Sequence, residues 1–201
     1  AVLGYLTFSA PSSQAAVVGW TNWRGPHQCG RSDATDLPKS IKLSGAGSNL
    51  LWTHDIAGRG HPVIANGRVF TWGYRGKGPD LQEVLLCLNE ADGKIIWEHG
   101  YNDYLSDTVY SRYTVGAPTI DPATGWVYLM TTNGGVKCFD ANGEMQWEYS
   151  LMERFGRLTF PNGRTGAAVI DGDLVIVRGV TSYWGKQGPA RDRFYAFNKT
   201  T

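Results

Sequence analysis

Cysteine, histidine and net charge are all scarce in this chain, and each scarcity excludes a class of function. The three cysteines, Cys29, Cys87 and Cys138, form no C-x-x-C pair. A zinc ribbon and a haem-attachment C-x-x-C-H motif are both excluded. The four histidines, His27, His54, His61 and His99, show no metal-ligand spacing. Lysine and arginine total 19 against 18 aspartates and glutamates, a net charge of +1. No basic stripe marks a dedicated nucleic-acid partner. No apolar run reaches the roughly 18 residues of a membrane-spanning helix. The glycine-rich Gly73–Gln82 (GYRGKGPDLQ) fits no G-x-x-x-x-G-K-[ST] pattern and precedes no helix, which argues against a phosphate loop. Neither a nucleophile elbow nor an acid–base pair is recognisable.

Glycine and tryptophan, by contrast, are plentiful, at 26 and eight residues, and suit a turn-rich, aromatic-packed β fold. The stretch from Ala117 to Trp147 (APTIDPATGWVYLMTTNGGVKCFDANGEMQW) predicts four short strands, over 117–120, 126–131, 136–139 and 144–149. Asn133-Gly134 and Asn142-Gly143 supply the positive φ angles of tight hairpins, and Asp121-Pro122 with Gly125 makes a wider turn. The apolar run Val127-Tyr128-Leu129-Met130 is unbroken, so both faces of the sheet should be covered. A four-stranded antiparallel unit covered on both faces is a propeller blade.

The unit repeats. Pro62–Phe70 (PVIANGRVF) parallels Pro118-Thr119-Ile120-Asp121 with Gly125–Tyr128, and both parallel Ala168–Ile176 (AVIDGDLVI). Cys87–Trp97 (CLNEADGKIIW) parallels Cys138–Trp147 (CFDANGEMQW), and a third copy starts at Ala196-Phe197-Asn198. Trp97 to Trp147 and Ile120 to Ile170 both step by 50 residues. Cys87 and Cys138 occupy equivalent third-strand positions one blade apart, too far for a disulfide, and read as small buried apolar residues.

These repeats resemble the tryptophan-docking repeat of quinoprotein-type (pyrroloquinoline-quinone-like) β-propellers of the bacterial envelope, and the resemblance covers about Trp20 to Thr201. It implies an all-β propeller of four-stranded antiparallel blades. The chain lacks an initial Met and ends inside a third copy, so the expectation is an incomplete fragment of about three blades from a longer propeller. Residues 1–16 (AVLGYLTFSAPSSQAA) read as the remnant of a secretory signal peptide. That reading predicts a protein exported to the periplasm or envelope. Residues 17–48 form a lead-in loop anchored by Trp20 and Trp23. An outer strand is expected at 49–53, blade one at 61–99, blade two at 116–149 and incomplete blade three at 166–201. Trp52, Trp97 and Trp147 are the docking tryptophans.

Long connections at 101–115 and 150–165, and an insertion at 181–191, are places where binding residues gather on a rigid scaffold. The residues just ahead of each first strand should lie near the channel mouth. They include Arg59 and His61, Arg112 and Tyr113, and Arg164 and Thr165. Arginine forks match carboxylates, so these six are the candidate binding residues for a small anionic ligand. Asp121, Asp171 and Asp173 are assigned to turn chemistry. The resemblance supports two functional readings. One is an exported scaffold for binding or assembly, with envelope proteins as partners, which needs only the repeats and the export segment. The other is a quinone-dependent alcohol or sugar dehydrogenase with pyrroloquinoline quinone and calcium as cofactors. The catalytic residues of that second class map by motif onto no position here.

Overall fold

The structure, a computed structural model, describes residues 17–103, 112–155, 166–181 and 191–201. The signal-peptide reading of 1–16 and the candidates Arg164 and Thr165 lie outside these residues. The described chain forms three antiparallel sheets. The first runs β1 (Val63–Ala65), β2 (Arg68–Arg75), β3 (Gln82–Asn89), β4 (Ile95–Asn102). The second runs β5 (Thr119–Ile120), β6 (Val127–Met130), β7 (Gly135–Phe139), β8 (Met145–Ser150). The third pairs β9 (Val169–Asp171) and β11 (Arg191–Asn198) on either side of β10 (Leu174–Thr181). A short helix α1 (Leu151–Phe155) follows β8.

Local chemistry sets the register. Asn66 and Gly67, at φ of 49° and 75°, form the two-residue turn that closes β1 on β2, the primed geometry that matches strand twist. Asn89, Asp140 and Asn198 each accept from the backbone N–H two residues on, at 2.8, 2.8 and 2.9 Å, the same side-chain turn in all three copies.

The sheets stack in chain order. Phe70, Trp72, Leu85 and Cys87 pack against Val127, Leu129 and Phe139 of the second sheet. Tyr128, Met130, Val136 and Cys138 pack against Val175 and Val177 of the third. The second sheet is therefore covered on both faces, as its unbroken apolar runs require. Val84, Leu86 and Leu88 on the far face of the first sheet meet Trp52 and Ile56. The result is an open arc of propeller blades.

The indoles tie one repeat to the next. Trp52 Nε1 donates to Glu90 O at 2.7 Å, Trp97 Nε1 to Ala141 O at 3.4 Å, and Trp147 Nε1 to Lys199 O at 3.1 Å. Each acceptor directly follows the Asn or Asp of the repeated turn. A Cβ on Gly93 would lie 2.6 Å from Trp52, and one on Gly143 2.7 Å from Trp97. Glycine is required there because the indole lies over the backbone.

Two segments differ from expectation. Residues 49–53 form no strand; Trp52 makes its indole contact, but no strand among the described residues pairs with the backbone beside it. The lead-in, expected as a loop anchored by Trp20 and Trp23, is held by backbone hydrogen bonds along the inner strands. Ile64 N donates to Trp20 O at 2.9 Å, Asn66 N to Val18 O at 3.0 Å, and Ile120 N to Thr21 O at 2.8 Å. Trp20 lies against Gly25, whose Cβ would fall 2.8 Å from the ring. Trp23 does not anchor by packing: it is 58% exposed and lies at the cleft described next.

Candidate functional site

The end of the arc that carries the β2–β3 connection also carries the segments leading into β1, β5 and β9. These three leads converge on a cleft of about 640 Å³. Arg59 and His61 come from the first lead, Val115, Gly116 and Ala117 from the second, and Gly166 and Ala167 from the third. Trp23 lines it from the lead-in, and Ile176, Arg178 and Phe194 from the third sheet. Two guanidinium groups and an imidazole thus stand among apolar and aromatic surface. Among the described residues the lining contains no carboxylate. Such a surface suits an anion carrying apolar or aromatic bulk.

Backbone contact places Arg59. It sits between two glycines, Gly60 pressed on the connector ahead of β5 and Gly58 on β2. A Cβ on Gly60 would lie 2.4 Å from Gly116 O and 3.0 Å from Thr114 O, and one on Gly58 3.1 Å from Trp72 O. His61 Nδ1 meets Pro62 O at 2.6 Å. A carbonyl only accepts, so Nδ1 carries the proton and Nε2 is left to face a ligand.

Behind the cleft wall lies a buried acid. Glu83 of β3 is fully buried, as are Thr114 and Thr132. Its carboxyl accepts from Thr114 N at 3.1 Å and Thr132 N at 3.1 Å, and from the Thr132 hydroxyl. Burial first, and then the charge of Asp103, push the Glu83 carboxyl up to about 8, against the three donors that favour its ionised form. Nearby, the Lys137 ammonium lies 4.2 Å from the centre of the Tyr101 ring and pairs with Glu148. Burial, then Glu148 and Glu83, raise the Tyr101 phenol above its ordinary range.

Of the six sequence candidates, Arg59 and His61 come together at the cleft. Arg112 is half-buried and Tyr113 buried, and neither lines it. Tyr113 instead packs its ring 5.8 Å from that of Tyr74. His99 stacks on Phe139 at 4.6 Å and bonds Gly143 O at 2.6 Å, a packing role. Asp121 bonds Ala123 N and Thr124 Oγ1 within its turn and also pairs with Lys199 at 3.2 Å. Sequence reasoning missed Trp23, Arg178 and Phe194. The outward alternation of β10 and β11 was the available signal for the last two. No group of three or more metal-ligating side chains occurs among the described residues, and no helix among them is long and apolar enough to cross a membrane.

Comparison with known proteins places these features in context. The family model described as outer membrane protein assembly factor BamB matches residues 34–198. No curated protein matches. Among solved structures, the quinohemoprotein alcohol dehydrogenase ADHIIG from Pseudomonas putida HK5 is 19% identical, with a TM-score of 0.47, over 75% of this chain and 20% of that one. The quinohemoprotein alcohol dehydrogenase from Comamonas testosteroni is 19% identical, TM-score 0.44, over 73% and 20%. BamB from Moraxella catarrhalis is 11% identical, TM-score 0.37, over 72% and 45%. This chain thus spans less than half the length of each of these three structures.

Proposed function

Because the chain belongs to the BamB family of pyrroloquinoline-quinone-like repeat propellers, we propose that it acts as an exported binding or assembly scaffold of the cell envelope. In this reading the three indole contacts are its tryptophan-docking repeat, and the segment 1–16 is what remains of its export signal. The cleft recognises an anionic segment of an envelope protein, with Arg59 and Arg178 as donors. Trp23 and Phe194 supply the apolar contact. The observation that carries the reading is the cleft's lining, cationic and aromatic with no acidic side chain among the described residues.

The dehydrogenase reading requires a quinone with calcium. The guanidinium groups of this cleft suit a quinone's carboxylates. Among the described residues its lining offers no carboxylate or side-chain amide to ligate calcium, so in that reading calcium would be held by groups outside them.

Calorimetry on the full chain tests both. An acidic peptide with one aromatic residue is titrated, and pyrroloquinoline quinone is titrated with and without calcium. Binding of the peptide, weakened by salt and reduced about tenfold or more by Arg59→Ala or Arg178→Ala, supports the scaffold. Calcium-dependent quinone binding would favour the dehydrogenase. No heat with any anion removes the cleft as a site.

A further inference from the structure

We infer that Glu83, which does not touch the cleft, is its positioning residue: its carboxyl fixes the turn at Thr114, and that turn seats the Arg59–His61 lead. The inference rests on reading the cleft as a binding site. Thr114 is the link. It sits at φ 56°, a left-handed conformation that a β-branched residue rarely adopts and that the surroundings must enforce. Its own hydroxyl does not enforce it, because Thr114 Oγ1 is buried without a hydrogen-bond partner. The backbone N–H does, chiefly through the bond to Glu83 at 3.1 Å, with the Thr132 hydroxyl as a second, longer acceptor at 3.4 Å. The same carboxyl takes Thr132 N at 3.1 Å, so one side chain of the first sheet grips two loops flanking the second.

The turn passes this constraint forward. Thr114 and Gly116 present the carbonyls on which Gly60 rests, at 3.0 and 2.4 Å from its would-be Cβ. Arg59 and His61 flank Gly60, and Val115, Gly116 and Ala117 are themselves cleft wall. Releasing the Thr114 N–H frees the turn to leave the left-handed region. The Arg59–His61 lead then loses its seat while the sheets remain.

The test is site-resolved amide exchange on the full chain, with the acidic peptide titrated in parallel. Glu83→Gln keeps the side chain's shape and replaces one acceptor oxygen with a donor. Exchange at Thr114, Val115 and Gly116 should rise about tenfold or more, with the amides of β6 and β7 unchanged, and peptide affinity should fall severalfold. Trp97→Ala, which loosens the same sheet interface elsewhere, should raise exchange across the sheets without singling out this turn. If Glu83→Gln unfolds the chain, Thr132→Val, which removes one donor to the same carboxyl and the longer of the two acceptors of the Thr114 N–H but leaves its 3.1 Å bond to Glu83, should deprotect the turn more weakly. Unchanged protection at Thr114, or a uniform rise throughout, overturns the inference. If the wild-type chain binds no peptide, the binding reading falls alone, and the exchange data still decide whether Glu83 holds the turn.

Discussion

At the scale of single residues, ionisable groups placed between the sheets set how stability depends on pH. The Glu83 carboxyl is raised to about 8 by burial and Asp103, well above its value in an unfolded chain. Between those two values the folded state holds a proton that the unfolded state has released. Stability is therefore full in acid and falls as pH rises towards 8, with a slope of at most about 1.4 kcal/mol per pH unit for one group. Chemical denaturation at a series of pH values should show this fall, and Glu83→Gln should flatten it. A slope unaffected by the substitution would mean that Glu83 does not carry the titration. The cysteines give a second residue-scale expectation. Burial pushes the Cys87 thiol up to about 11 and the Cys138 thiol up to about 12, whereas Cys29 is exposed. Alkylation at pH 8 should label Cys29 alone in native protein and all three thiols in denaturant, since only the thiolate reacts. Fast labelling of Cys87 or Cys138 without denaturant would place those strands at the surface.

At the scale of elements, the contact between one repeat's tryptophan and the next repeat's turn is the recurring stabilising unit. Trp97 is half-buried, packs 5.8 Å from the Phe70 ring and covers Gly143. Trp97→Ala should cost about 2–4 kcal/mol, somewhat less than for a fully buried indole. Gly143→Ala adds a Cβ at φ 90° against that same indole and should cost about 1–3 kcal/mol. The two losses should not add, because both break one contact; additive losses in a double-mutant cycle would deny that the indole and the glycine form a unit. This layer of the fold was legible in the sequence. The strands of the second sheet, its Asn-Gly hairpins and the equivalence of Trp97 with Trp147 all follow from local chemistry that repeats. The path of residues 17–21 was not legible, because it depends on donors and acceptors of β1 and β5 that no local pattern announces. The strand expected at 49–53 does not form among the described residues, because a strand needs a partner edge and no described strand pairs with it.

At the scale of the whole molecule, the face of the third sheet turned away from the second is where packing and binding meet. Positions equivalent to Phe70 and Tyr128 on the first two sheets are buried between blades, whereas Ile176 reaches the cleft. Beside it Val169 is 43% exposed and Phe194 73%. Arg59 and His61 were legible because they precede a repeating strand. Arg178, Trp23 and Phe194 were not, because only the stacking of sheets and the course of the lead-in bring them to the same cleft. Among the described residues nothing covers this apolar face, and a face of this kind favours association. The full chain should therefore sediment as a concentration-dependent mixture, and Phe194→Asp should shift it towards monomer. The same substitution places a carboxylate among the cationic donors and should weaken peptide binding. Because Val169, Ile176 and Phe194 belong to both surfaces, saturating peptide should also shift wild-type protein towards monomer. Association that persists unchanged under saturating peptide would assign self-contact and ligand binding to separate faces, and the cleft would then need other walls.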